Sequence, residues 1–349
     1  MKNNISSRRK LLWTALFFVI AAATIWAVIS YGKAFSAVSF ISYIAETSKG
    51  WLLAAVLCML CFVVFEGEAV TSVCRAFGYS AKHKQGFIYS ASDIYFSAIT
   101  PSASGGQPAC AYFMIKDGIP ASVTALALLL NLTMYTLSIL VINLFVVIVH
   151  PVIFMSFGLL SKILIILGFV IQGLLALLFF LLLTKGKLLH YICSRILHFL
   201  CSIKFLKHEE KKQLKLDRYM SEYEEYSEMI KNHKRAVLNA FLFNMLQRIS
   251  IISVPLFVYL AAGGNAAQAA QIWSLQSLVV IGSNTVPIPG AMGVSDYIML
   301  DGLGDMMPYQ NAVNFELLSR SLSFYVCVIL CGAAVLIKYS IQKRSEKKT

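Results

Sequence analysis

Charge is what this sequence has least of. Only 13% of its 349 residues are Asp, Glu, Lys or Arg, against roughly a quarter in soluble globular domains. Acidic residues are the scarcest, 17 beside 30 Lys and Arg. With 58% hydrophobic residues and a mean hydropathy of +0.72, a soluble domain could not keep its surface wet, so that class is excluded. Catalytic signatures are missing too. There is no G-x-S-x-G, Walker, dinucleotide or zinc pattern, and none of the six His falls in an apolar run where it could act as a serine's base. ATP hydrolysis and nucleophilic catalysis are therefore not expected, nor is a metal or cofactor. Cys58 and Cys61 make a C-x-x-C spacing with no second pair and no nearby His, which reads as small core residues.

Long apolar runs take the place of charge. Stretches of roughly 20 apolar residues cross a bilayer as helices, and six are expected: 11–31, 51–74, 120–149, 154–184, 236–262 and 312–338. The first reads as an anchor rather than a signal peptide. Segment 185–235 is the longest part outside the membrane, an amphipathic helix followed by a charged one. The net charge of +13 then has a simple reading, as membrane flanks facing anionic lipid, and no specific nucleic acid is expected. In this arrangement Lys33, Lys49 and Lys162 fall outside, Arg248 and Arg320 within spans, and every other Lys and Arg inside. Cationic loops stay cytoplasmic, so both termini are expected there.

Two segments, 87–118 and 267–305, are apolar but broken in the middle. The first breaks at Pro101, Ser102, Ser104, Gly105, Gly106 and Gln107; the second at Pro287, Pro289, Gly290 and Gly293. Pro removes a backbone donor and Gly costs backbone entropy, so no helix continues through either stretch. Lipid cannot satisfy the freed backbone groups, so such breaks belong in re-entrant hairpins buried in protein or lining a wet cavity. Both carry Pro four residues before Gly (Pro101 and Gly105; Pro289 and Gly293), and both end in Asp-Gly (Asp117-Gly118; Asp301-Gly302). The fold class expected is an all-α polytopic membrane protein, with six spans and two hairpins entering from opposite faces as an inverted repeat. Paired broken segments of this kind point to a transport site.

Ionisable groups inside spans cost about 2.5–3.5 kcal/mol each on insertion scales, so each is a functional candidate. They are Glu66, Glu68, Asp93, Arg248, Asp296, Glu316 and Arg320. Glu66 and Glu68 are two apart and point in different directions, which argues against a paired-carboxylate catalyst. Glu316 and Arg320 are four apart, and mutual neutralisation on one helix face is an equally good reading. Helices starting after Gly106 and Gly293 offer free N–H groups and a positive dipole end, a place for a phosphate. The alternative for these glycines is close helix packing.

At the two broken segments the sequence resembles a known family. The run TPSASGGQP at 100–108, followed by Asp117-Gly118-Ile119, and the run PIPGAMGV at 287–294 look like the two signatures of the flippase-like transmembrane domain of lysyl-phosphatidylglycerol synthase, the multiple peptide resistance factor. The resemblance implies movement of aminoacylated phosphatidylglycerol to the outer leaflet of the cell membrane, which repels cationic antimicrobial peptides. The family's aminoacyl-transfer step uses a separate soluble domain, and the fifty or so residues of 185–235 are too short to hold one. Membrane phospholipids are the expected partners. A separately encoded lipid synthase and a second copy of this chain are further candidates. Two other functions stay open: the membrane half of a split lysyltransferase, and a secondary transporter of a soluble anion.

Overall fold

The computed structural model describes residues 37–100, 103–202, 209–284, 286, 288–291, 293–304 and 306–346. Among these there is helix and no strand. Span 11–31 and the residues Pro101, Ser102 and Pro287 lie outside the described residues. The helices, in order, are α1 (Ala37–Glu46), α2 (Lys49–Ala76), α3 (His83–Ile99), α4 (Gly106–Lys116), α5 (Ala121–Val149), α6 (Pro151–Ser156) and α7 (Leu159–Thr184). They continue with α8 (Gly186–Ser202), α9 (Glu209–Asn232), α10 (Lys234–Ala261), α11 (Ala269–Ser283), α12 (Val294–Leu303), α13 (Tyr309–Arg320) and α14 (Cys327–Glu346). A π-turn, Ser321–Val326, joins the last two.

Among the described residues five helical runs are long and apolar enough to cross a membrane: α2, α5, α7, α10 and the continuous run Tyr309–Ile341. Burial supports the same conclusion. Large apolar side chains point outward, with Leu159 77%, Ile148 69% and Ile329 69% exposed, while Asn143, Asn244 and Gln247 sit inside. That distribution is inverted relative to a water-soluble protein, and it suits a lipid surround. The chain is a multi-pass membrane protein.

Helices α2 and α10 form the central pair, with α3 and α5 against them. Gly67 and Gly86 let α2 and α3 touch through their backbones; a Cβ on Gly67 would lie 2.4 Å from the Gly86 carbonyl oxygen. The broken segments fold as helix pairs: α3 with α4, and α11 with α12. The first turn is closed by Thr100, whose hydroxyl donates to the Phe96 carbonyl (2.6 Å) and accepts from Gly105 N–H (2.8 Å). The second uses left-handed backbone at Gly290, Ala291 and Gly293. Helix α3 also meets the turn Pro289–Ala291, which brings the two hairpins into contact.

Outside the spans, segment 185–235 divides into α8 and α9. Ser227 donates to the Leu183 carbonyl (2.6 Å) and Ser122 to Glu222 (3.0 Å), docking α9 beneath α5 and α7. Tyr223 donates to the Leu182 carbonyl, and burial pushes its phenol pKa up, so it stays a donor. The stretch before Gly50, expected to be an external loop, contains α1. Its Val38 and Ile41 are exposed and three apart, an amphipathic pattern too short to register as a span.

Candidate functional site

Two clusters of ionisable side chains lie inside the fold, one beside each hairpin turn. The first gathers residues from five helices. On α10, Asn244, Gln247 and Arg248 share one face through their i, i+3, i+4 spacing. Gln247 Nε2 donates to Glu66 Oε2 of α2 (3.1 Å), and Arg248 Nε donates to Gln247 Oε1 (2.8 Å). The Arg248 guanidinium lies 4.4 Å from the ring centre of Tyr135 on α5 and 5.3 Å from that of Phe62. Two aromatic faces thus hold the cation where lipid would not.

Glu66 also meets the carboxyl of Asp93 on α3 within hydrogen-bonding reach. Asp93 accepts from Gln107 Nε2 (2.7 Å) and from Ser97 Oγ (3.1 Å), one helical turn on. Gly106 is the reason Asp93 fits. A Cβ there would fall 1.9 Å from Asp93 Oδ1 and 2.0 Å from Ser97 Oγ. The start of α4 is therefore faced by the protein's own carboxylate, which stabilises it as an anion does. This is the helix start at which the sequence suggests a place for a phosphate. The network extends through Asn244, whose Nδ2 donates to Asn131 Oδ1 (2.8 Å). Gln107 Oε1 remains buried with no hydrogen-bond partner.

The second cluster joins α12 and α13. Asp296 caps α12, its Oδ2 accepting from Gly293 N–H at 2.9 Å, so this helix start is also closed by a carboxylate. Arg320 donates to Ser295 Oγ and to the Gly290 carbonyl, and its Nε stands 3.4 Å from Asp296 Oδ1. Arg320 thus reaches across to the hairpin and does not simply neutralise Glu316 on its own helix. Glu316, buried, contacts Asp296 as well. Phe324 fills the space that a Cβ on Gly290 would need (2.6 Å).

Of the residues singled out in the sequence, Glu66, Asp93, Gly106, Gln107 and Arg248 come together, as do Gly290, Gly293, Asp296, Glu316 and Arg320. Ser104 and Gly105 lie at the first turn, and Pro289 begins a 3-10 turn in the second. Glu68 stands apart, held at 2.6 Å by Arg75 and at 2.5 Å by His83. Gln247, Asn244, Asn131, Tyr135 and Ser97 were not evident from the sequence. For the first two a signal existed, since they flank Arg248 at helical spacing; Tyr135 is one of 16 tyrosines and carried none.

The family described as "Lysylphosphatidylglycerol synthase TM region" matches residues 12–331, a range that takes in both hairpins and both clusters. The chain belongs to this family. No curated protein matches it. In this member of the lysylphosphatidylglycerol synthase TM family, each cluster sets two carboxylates and one arginine in a low-dielectric setting. Such an arrangement can engage a positive and a negative group at once.

Proposed function

We propose that the chain moves a phospholipid with a cationic head group, such as lysyl-phosphatidylglycerol, between leaflets of the cell membrane, lowering surface negative charge and the affinity of cationic antimicrobial peptides. The observation that carries this reading is the first cluster. Glu66 and Asp93 outnumber Arg248, and all three are buried against one hairpin. Two carboxylates suit a lipid's ammonium, and the aromatic-held guanidinium suits its phosphate. Family membership supports a lipid head group over a soluble anion. The test uses near-isosteric Glu66→Gln, Asp93→Asn and Arg248→Gln variants in cells that make lysyl-phosphatidylglycerol. Loss of one charge-assisted contact to the head group costs about 1.5–3 kcal/mol. The transfer rate, read as the growth of the outer-leaflet fraction with a membrane-impermeant amine reagent, is expected to fall at least about tenfold at constant total lipid. An unchanged outer fraction in all three would overturn the assignment.

A second reading makes the chain the membrane half of a split lysyltransferase. Its support is α9, docked by buried hydrogen bonds yet turning Glu224, Glu225 and Glu228 to water. Replacing those three by Ser would lower total lysyl-phosphatidylglycerol under this reading and leave the total unchanged under the first.

A further inference from the structure

On the outer side of the wall that carries the first cluster lies an open cavity of about 450 Å³, lined by Val64 and Glu68 of α2, His83, Lys84 and Phe87 of α3, and Phe243 of α10. It backs onto the cluster. Glu66 and Asn244 face inward from the same turns whose Val64, Glu68 and Phe243 face the cavity, and the Gly67–Gly86 backbone contact seals the seam between them. The lining is divided by chemistry. Val64, Phe87 and Phe243 make an apolar floor, extended by the Phe65–Phe243 ring stack at 6.4 Å. At the other end are ionisable groups, and Glu68 is already neutralised by Arg75 and in hydrogen-bonding contact with His83. Lys84 is exposed and has no hydrogen bond or ion pair among the described residues. The rim of the cavity therefore carries surplus positive charge, while its floor meets the lipid-facing surface through Val64, 45% exposed, and its neighbour one turn earlier, Leu60. A cationic rim above an apolar floor is the complement of a phospholipid at a membrane surface.

We propose that this groove binds an anionic phospholipid of the leaflet on the Arg75 side, its phosphate against Lys84 and an acyl chain along Val64, Phe87 and Phe243. The groove is a site of its own, and its occupancy does not rest on the translocation reading.

The test reconstitutes the full chain into phosphatidylcholine vesicles carrying a photo-activatable phosphatidylglycerol with the reactive group on its acyl chain, and maps adducts by mass spectrometry. Adducts are expected on Val64, Phe87 and Phe243, displaced by unlabelled phosphatidylglycerol and not by phosphatidylcholine. Loss of one charge-assisted contact in Lys84→Glu is expected to reduce them about tenfold. Val64→Trp, which fills the floor, should remove them while leaving the folded chain monodisperse. Adducts formed equally by a phosphatidylcholine probe, or unchanged in both variants, overturn the proposal. Leaflet transfer of lysyl-phosphatidylglycerol added to the same vesicles separates the two readings. Adducts without transfer count against translocation and leave the groove's ligand standing, whereas transfer without adducts removes the groove.

Discussion

Gly106 shows how much one missing methyl group decides. Asp93 occupies the space a side chain at position 106 would take, so Gly106→Ala must displace the carboxylate or the hairpin turn. Overpacking of this kind costs about 1–3 kcal/mol. The variant is expected to lower the melting temperature in detergent, and Asp93→Ala in the same chain to recover part of the loss, because the clashing atoms are gone. Additive losses in the double variant would disprove the contact. At this scale the sequence is readable wherever a residue is rare for its surroundings. Charges in apolar runs stand out, and so Glu66, Asp93, Arg248, Asp296, Glu316 and Arg320 are recognisable from the sequence alone. Their neutral partners are not, since amides and hydroxyls enter membrane helices cheaply. Nor does sequence reveal proximity: Glu68 looks equivalent to Glu66 along the chain, yet its side chain is held by Arg75 and His83.

Among elements, the hairpins are fastened at their exits as well as their turns. Asp117, at the end of α4, accepts from Tyr89 Oη (3.0 Å) and Gln85 Nε2 (3.2 Å) of α3 and lies 3.3 Å from Lys338 Nζ of α14. Asp301, near the end of α12, accepts from Gly158 N–H (2.8 Å) at the start of α7. Asp117→Ala strips an acceptor from three donors, at about 1–3 kcal/mol. Hydrogen exchange should then rise in α3, α4 and the end of α14 and stay unchanged at Gly158, with Asp301→Ala giving the opposite map. A uniform rise in both variants would mean that neither aspartate holds a particular hairpin. The paired Asp-Gly endings are visible in the sequence, but what they fasten is not, because their partners are up to 221 residues away. Helix α1 is hidden for a different reason: ten residues with outward apolar side chains look, in sequence, like a loop between spans.

For the whole molecule, polar residues inside and apolar residues outside define the medium but not which way up the chain sits in it. The distribution of lysine and arginine supplies a prediction, both termini on the cytoplasmic side by the positive-inside rule. Two single-cysteine chains test it, with the native cysteines replaced. Ala266→Cys, in the exposed turn before α11, is expected to react with an impermeant maleimide on intact cells, and Lys185→Cys, between α7 and α8, only after permeabilisation. The reverse pattern would invert the orientation and put the Lys84 groove in the opposite leaflet. The helix–break–helix order of the hairpins is legible because Pro and Gly act locally. Contact between them is not, since it depends on how α3 packs beneath Pro289–Ala291 and against α14, where Tyr95 lies over Gly332.

The π-turn at Ser321–Val326 follows Arg320 directly and precedes Gly332 by less than two turns. Over the same length it holds one residue more than an α-helix would. That surplus fixes the phase between two halves of one helix: the half that aims Arg320 and Glu316 at the second hairpin, and the half that beds Gly332 under the first. Each residue of an α-helix advances the azimuth by about 100°. Deleting one residue from the π-turn would turn Arg320 away from Ser295 and Gly290 while Gly332 stayed in place. A surplus residue can also migrate along a helix without being lost, re-pointing one arginine by a quarter-turn or more while no loop opens and no span leaves the membrane.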